Sequence, residues 1–241
     1  MEEEKERKDI TENKDLQNIK ELGTQSIPKS KDRIQILPII GQIEGHVVLP
    51  PQTKSTRYEH VIPLLVAIEN DPNVEGVLVI LNTVGGDVEA GLAISEMIRS
   101  LSKPTVSLVI GGGHSIGVPL ATSADYSFIS PSATMIVHPI RMNGLVIGAP
   151  QTFEYFNKMQ ERIIEFVVRT SQISRDRIRK LMAQTDELLN DMGTILIGKQ
   201  AVDEGLIDEV GGISDAIKKL EELLEERKVD KTKTENKENQ P

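Results

Sequence analysis

Cysteine is absent from the 241-residue chain. Disulfides, zinc–thiolate sites and thiol nucleophiles are thereby excluded, and the composition suits a reducing compartment. Histidine is scarce: His46, His60, His114 and His138 are the whole supply, so any imidazole base is one of these four. An excess of Lys and Arg is also missing. The formal net charge is −9, which argues against general nucleic-acid binding and favours solubility. No apolar run approaches the roughly 18 residues of a membrane span. The first residues, MEEEKERKDITENKD, lack the apolar segment of a secretory leader, so a cytoplasmic location is the expectation.

What the chain does contain is a patterned middle between two charged ends. Residues 1–32 carry 16 Asp, Glu, Lys or Arg, and read as a flexible arm with at most a short helix near Ile19 and Leu22. Residues 227–241, RKVDKTKTENKENQP, read as a disordered charged tail. That leaves one domain over 33–226. Within it, 34–40 is a short apolar run, and 58–70 has helical spacing with Val61, Leu64, Leu65 and Ile68 on one face. The run VLVIL at 77–81 is continuous, as a parallel strand covered on both faces should be. Gly85-Gly86 and a helix over 88–100 follow. The pattern then recurs: a buried strand at 105–110, three glycines at 111–113, and a helix over 115–124. Short strands are expected at 126–129 and 134–137. Strand, glycine turn and helix in repetition predict an α/β fold, a parallel sheet that gathers ligands at the carboxyl ends of its strands.

Segment 152–169 is a helix of another kind. Phe153, Phe156, Met159, Ile163, Phe166 and Val167 recur at steps of three and four, and four of the chain's seven aromatics lie in this segment. Such a stripe needs a partner surface, either its own domain or a second subunit.

The glycine turns carry the chemistry. A Walker loop needs a Gly-Lys-Ser/Thr that is not there. A dinucleotide fingerprint starting at Gly111 and Gly113 would need glycine at 116, where Ile116 stands. Gly113-His114-Ser115-Ile116-Gly117 instead matches Gly-x-Ser-x-Gly between a strand and a helix, the context in which a serine nucleophile sits on a sharp turn. His138 ends a strand at the same edge and is the candidate base. His114 is assigned local hydrogen bonding. The backbone amides of Gly86 and Ile116 are candidate oxyanion donors, and Gly85-Gly86 admits the close approach of a substrate. The orienting acid is left open: Asp125 lies between serine and histidine, while Asp186, Glu187 and Asp191 follow them.

At this point four stretches resemble the ClpP family of serine peptidases. Asn82-Thr83-Val84-Gly85-Gly86 through Gly91 is similar to its Asn-Ser-Pro-Gly-Gly motif, and 111–117 to its nucleophile turn. Met135-Ile136-Val137-His138-Pro139 is similar to its Met-Ile-His-Gln-Pro, and Ala201 through Asp208 to its Ala-x-x-x-Gly-Leu-Ile-Asp. The resemblance covers about residues 34–215. It implies a ClpP/crotonase-type fold of repeated ββα units with a protruding handle helix over about 140–172. It also implies serine endopeptidase activity without metal or cofactor. Peptides or unfolded polypeptides would bind as an added strand at Met142, Gly144 and Val146, beside Gly85. A homo-oligomeric ring would form through the handle.

The family's acid position, counted back from Gly205, falls on Gly193. Asp191 is the nearest aspartate, in a tract similar to the signal peptide peptidase relatives of the fold. Val84 stands where proline is usual, and one residue is added before His138. The arm at 1–32 does not resemble the family's axial segment, so an ATPase partner is not implied. The branch that the chain most resembles implies a link to preprotein export or signal-peptide clearance. Two other readings use the same fold: a crotonase-type acyl-CoA enzyme and a polypeptide-binding scaffold without activity.

Overall fold

The computed structural model describes residues 33–141, 148–185 and 192–238, with side chains up to residue 229. Its elements belong to the second of two compact units, Ile34–Pro241. They run β1 (Ile34–Glu44), β2 (Ser55–Arg57), α1 (Tyr58–Asn70), β3 (Gly76–Gly86), α2 (Val88–Ser100) and β4 (Thr105–Gly113). Next come α3 (Gly117–Thr122), β5 (Tyr126–Ile129), β6 (Thr134–Val137), α4 (Ala149–Thr170) and α5 (Arg175–Ala183). The chain continues through β7 (Thr194–Ile197), α6 (Lys199–Asp203), β8 (Glu209–Val210) and α7 (Ile213–Glu238).

The central sheet has the order β2-β1-β3-β4-β5-β8, and every pairing along it is parallel. β3 and β4 sit in its middle, which is why their sequences are almost continuously apolar. One face of the sheet is covered by α1 to α5, and Phe166, Ile164 and Ile116 are fully buried there. On the other face Leu78, Val106, Leu108 and Phe128 pack under Ala216 and Leu220 of α7. Each such large apolar side chain contributes about 1.5–3 kcal/mol by leaving water. β6 departs from the sheet. It pairs with the end of β4 at Gly112–Thr134 and runs antiparallel to β7, forming a two-stranded flap beside the carboxyl edge.

The local chemistry accounts for the boundaries. α2 begins where the Asp87 carboxylate accepts the Ala90 amide at 2.8 Å. In α1 the buried stripe is Val61, Leu65 and Ile68, and Leu64 lies at its exposed margin. Gly85-Gly86 and 111–113 are the last residues of β3 and β4 rather than turns after them. The helix expected over 115–124 shortens to Gly117–Thr122, because Ser115 has φ 58° and cannot start it. α4 is longer than its apolar stripe, and α7 continues past residue 226. There Lys228 lies 3.4 Å from the Glu75 carboxylate, so the helix runs on through residues whose composition alone predicts a tail.

Candidate active site

Two neighbouring strand ends build the site. β3 and β4 run in parallel register from Val77–Thr105 to Thr83–Gly113, slipping between Leu81 and Thr83 where the strands bend at the edge. Polar side chains of the first motif secure the second. Asn82 Oδ1 accepts the Gly112 amide at 2.9 Å. The Thr83 carbonyl accepts the His114 amide at 3.2 Å. The Thr83 hydroxyl donates to the Gly41 carbonyl at 2.6 Å and accepts from the Gly85 amide at 3.0 Å, so β1, β3 and β4 are stitched together at one point.

Ser115 follows β4. Among the described residues it alone has a positive φ without being glycine. The left-handed conformation costs a residue with a Cβ about 1–2 kcal/mol, and it persists because the surroundings fix it. The Ser115 amide donates to the Ile136 carbonyl at 2.9 Å, and its own carbonyl accepts from Val118 at 3.0 Å. Gly85 presses against it: a Cβ there would lie 2.6 Å from Ser115 Cβ, and φ is +89°, so only glycine fits both the space and the backbone. The buried Ile116 side chain seats in the notch left by Gly91.

His138 comes one residue after β6. Its Nδ1 lies 2.6 Å from the Pro139 carbonyl, and a carbonyl only accepts, so Nδ1 carries the hydrogen. The neutral ring therefore keeps its lone pair on Nε2. His138, Ser115, Ile116 and Gly86 line one cavity of about 250 Å³. Much of its wall is apolar, with Val84, Val88 and Val118 near the strand ends and Ile163 and Val167 of α4 and Ile178 and Met182 of α5 behind, while Arg141 adds a positive charge to the lining. Among the described residues no carboxylate lines it.

The second imidazole of the region, His114, is half-buried and bonded through Nε2 to the Thr134 hydroxyl at 2.7 Å. Burial, and secondly the proximity of His138, lower its pKa below the ordinary histidine value, so the ring is uncharged at neutral pH. His46 instead meets the Tyr58 hydroxyl at 3.0 Å.

The acids separate by position. Asp125 Oδ2 accepts from the Thr105 amide and hydroxyl at 2.9 and 3.0 Å, and Arg99 takes its other oxygen. Thr105 begins β4 and Ser115 follows its end, so Asp125 sits at the far end of the sheet and takes no part in the site. Asp186, Glu187 and Asp191 lie outside the described residues, as do Met142, Gly144 and Val146. The antiparallel pairing of Val137 with Thr194 puts Gly193 opposite His138 when continued by one residue. Gly193 has φ +137° and donates its amide to Gln184. Among the described residues no three His, Asp or Glu side chains converge as a metal site would require.

Sequence reading did not find the Pro139 carbonyl, the Asn82 and Thr83 stitches, or the contribution of α4 and α5 to the cavity wall. The asparagine and threonine carry a visible cue, since polar residues just before a glycine pair at a strand end have few uses other than bonding the neighbouring strand.

A parallel sheet with a strained serine turn at its carboxyl edge is the α/β architecture in which ligands gather at strand ends. More particularly, the chain belongs to the Clp protease family, which it matches over residues 31–214. It is 56% identical over 213 residues to the translocation-enhancing protein TepA of Halalkalibacterium halodurans, covering 88% of this chain and 83% of that one. It is 27% identical over 157 residues to an ATP-dependent Clp protease proteolytic subunit of Lactococcus lactis subsp. cremoris, covering 62% and 74%. It is 24% identical over 220 residues to capsid assembly protease C of Escherichia phage lambda, covering 81% and 50%. The domain is thus of the Clp protease type, and its family supports a protease-like role. No helix among the described residues is long and apolar enough to cross a membrane.

Proposed function

We propose that the protein is a serine endopeptidase cleaving peptides or unfolded polypeptides, with Ser115 as nucleophile and His138 as base. The observation that carries this reading is the shared cavity: a serine held in a strained turn and a histidine whose tautomer leaves Nε2 as acceptor line the same space. As Ser115 Oγ attacks the scissile carbonyl, its proton passes to His138 Nε2. The Gly86 and Ile116 amides receive the oxyanion. The C–N bond then breaks, and His138 returns the proton to the leaving amine. Water, deprotonated by the same Nε2, cleaves the acyl ester and regenerates Ser115. Asp191 is the proposed acid that stabilises the imidazolium, with Asp186 and Glu187 as the competing candidates.

The apolar part of the wall, Val84, Val118, Ile163 and Val167, favours an apolar side chain next to the scissile bond, and Met142, Gly144 and Val146 are proposed to hold the substrate as an added strand beside Gly85. The cavity is smaller than the roughly 300–1,000 Å³ that takes cofactor-sized ligands, and its described walls lack the carboxylates of an acyl-CoA enzyme. The exposed start of α4 supports assembly into a ring, and the likeness to a translocation-enhancing protein supports a role linked to translocation.

Fluorophosphonate labelling of the purified protein tests the reading. Labelling is expected in the wild type, absent in Ser115→Ala and His138→Ala, and weakened in Asp191→Asn by orders of magnitude. A folded wild type that takes no label removes the peptidase reading and leaves the scaffold.

A further inference from the structure

We propose that His114 is a positioning residue, a side-chain tie that fixes the turn carrying Ser115 to β6, the strand leading to His138; this rests on Ser115 and His138 being the reacting pair. The central sheet and the β6–β7 flap meet along a short seam. One backbone pairing, Gly112 with Thr134, joins β4 to β6. One further backbone bond, from the Ser115 amide to the Ile136 carbonyl, crosses at 2.9 Å. The nucleophile lies on one side of this seam and the base on the other, so slack in it changes their separation directly.

His114 is built to close that seam. Its ring doubles back over the end of its own strand, where a Cβ on Gly112 would stand 3.1 Å from both Cε1 and Nε2. The absence of a side chain at Gly112 is what lets the imidazole lie there. From that position Nε2 meets the Thr134 hydroxyl at 2.7 Å. Thr134 is itself the strand partner of Gly112, so the side-chain bond reinforces the single point at which the strands join. Thr134, Ile136 and His138 alternate onto one face of their segment. The His114 bond, the Ser115 backbone bond and the base thus fall at every second residue of one short segment, the first and last through side chains and the middle one through the Ile136 carbonyl.

The ring is also suited to a tie rather than to proton transfer. It is occupied by Thr134, and burial together with the neighbouring His138 keeps it uncharged. An uncharged ring adds no second positive charge beside the imidazolium that His138 becomes during the reaction.

The test uses the full chain and two readouts, amide hydrogen exchange over residues 111–118 and the rate of fluorophosphonate labelling. Wild type is compared with His114→Ala, Thr134→Val, His114→Gln and Ser115→Ala. Loss of the bond in His114→Ala or Thr134→Val is expected to speed exchange about tenfold, the factor of one lost hydrogen bond. The maximal labelling rate should fall by a similar factor, with the half-saturating probe concentration unchanged. His114→Gln, which still reaches Thr134, should restore both. Unchanged exchange in both bond-breaking variants overturns the tie, as does loss of labelling with exchange unaltered. Should the wild type not label, the Ser115 reading fails, and the exchange rates decide the tie by themselves. Thr134→Val keeps the test alive if His114→Ala does not fold.

Discussion

A single methyl group is enough to test how finely Ser115 is placed. In Gly85→Ala the new Cβ would stand 2.6 Å from Ser115 Cβ and 2.7 Å from the His114 carbonyl, on a backbone at φ +89°. Neither neighbour is the free end of a flexible side chain, so the turn must shift. A displacement of the order of 1 Å at a reacting atom costs about 100-fold in rate, and that loss of labelling is expected in a variant that still folds. Labelling within a few-fold of wild type would mean that the turn is softer than its packing implies. His114 makes a second residue-level prediction, on stability. Its folded pKa lies below the ordinary value, so as pH falls through about 6.5 the unfolded chain takes up the proton first. Stability is therefore lost as pH falls from about 6.5 towards the folded pKa, and the group contributes no pH dependence above that window. Melting curves between pH 8 and 5 should fall more steeply for wild type than for His114→Gln; parallel curves would show that the ring is not the titrating group.

The elements divide into those that sequence period makes plain and those that it cannot reach. α1 and α2 lie over the residues where the sequence pattern predicts helices, 58–70 and 88–100. The motifs at Gly85-Gly86 and Ser115 are legible because glycine and serine at a strand end have few other uses. The wall of the cavity is not legible. Ile163, Val167, Ile178 and Met182 read as ordinary core positions, and only tertiary folding brings their helices behind Ser115. The Pro139 carbonyl is a backbone group, which no residue pattern marks.

α4 divides along its length. Met159, Ile163, Ile164, Phe166 and Val167 are buried in the domain, whereas Phe153 and Tyr155 nearer its start are exposed. Its buried half should carry the stability. Phe166→Ala is expected to cost about 3–5 kcal/mol in urea unfolding, the range for a fully buried aromatic. The ion pairs on its outer side should matter far less. Arg162 grips Glu89 through two bonds at 2.6 and 3.1 Å, but both side chains are about half exposed. A double-mutant cycle on this pair should give a coupling of about 0.2–1 kcal/mol that shrinks in high salt. A larger, salt-insensitive coupling would mean that the pair is shielded from water by a contact absent from the single chain.

At the scale of the whole molecule the exposed start of α4 is the surface on which the proposed ring is tested. Phe153 is 70% exposed and Tyr155 53%, on a helix whose other half is locked into the core. Large aromatics held out on a rigid arm are costly to a monomer and useful to an assembly, since aromatic anchors supply much of the binding energy in protein interfaces. A stable interface removes about 800 Å² from each partner, more than two side chains provide, so the first turns of α4 would have to enter the contact as a unit. The double variant Phe153→Glu, Tyr155→Glu places two charges in such a contact while leaving Met159 to Val167 untouched. Light scattering is expected to show a lower molar mass for the variant at equal concentration, with the circular dichroism of a folded chain. The melting temperature of the wild type should rise with protein concentration, because association stabilises by mass action, whereas that of the variant should not. Equal masses and equally flat melting curves would show that the aromatics do not hold subunits together. In that case the proposed ring would have to form through another surface, and the exposed half of α4 would be left free to meet the proposed polypeptide substrate.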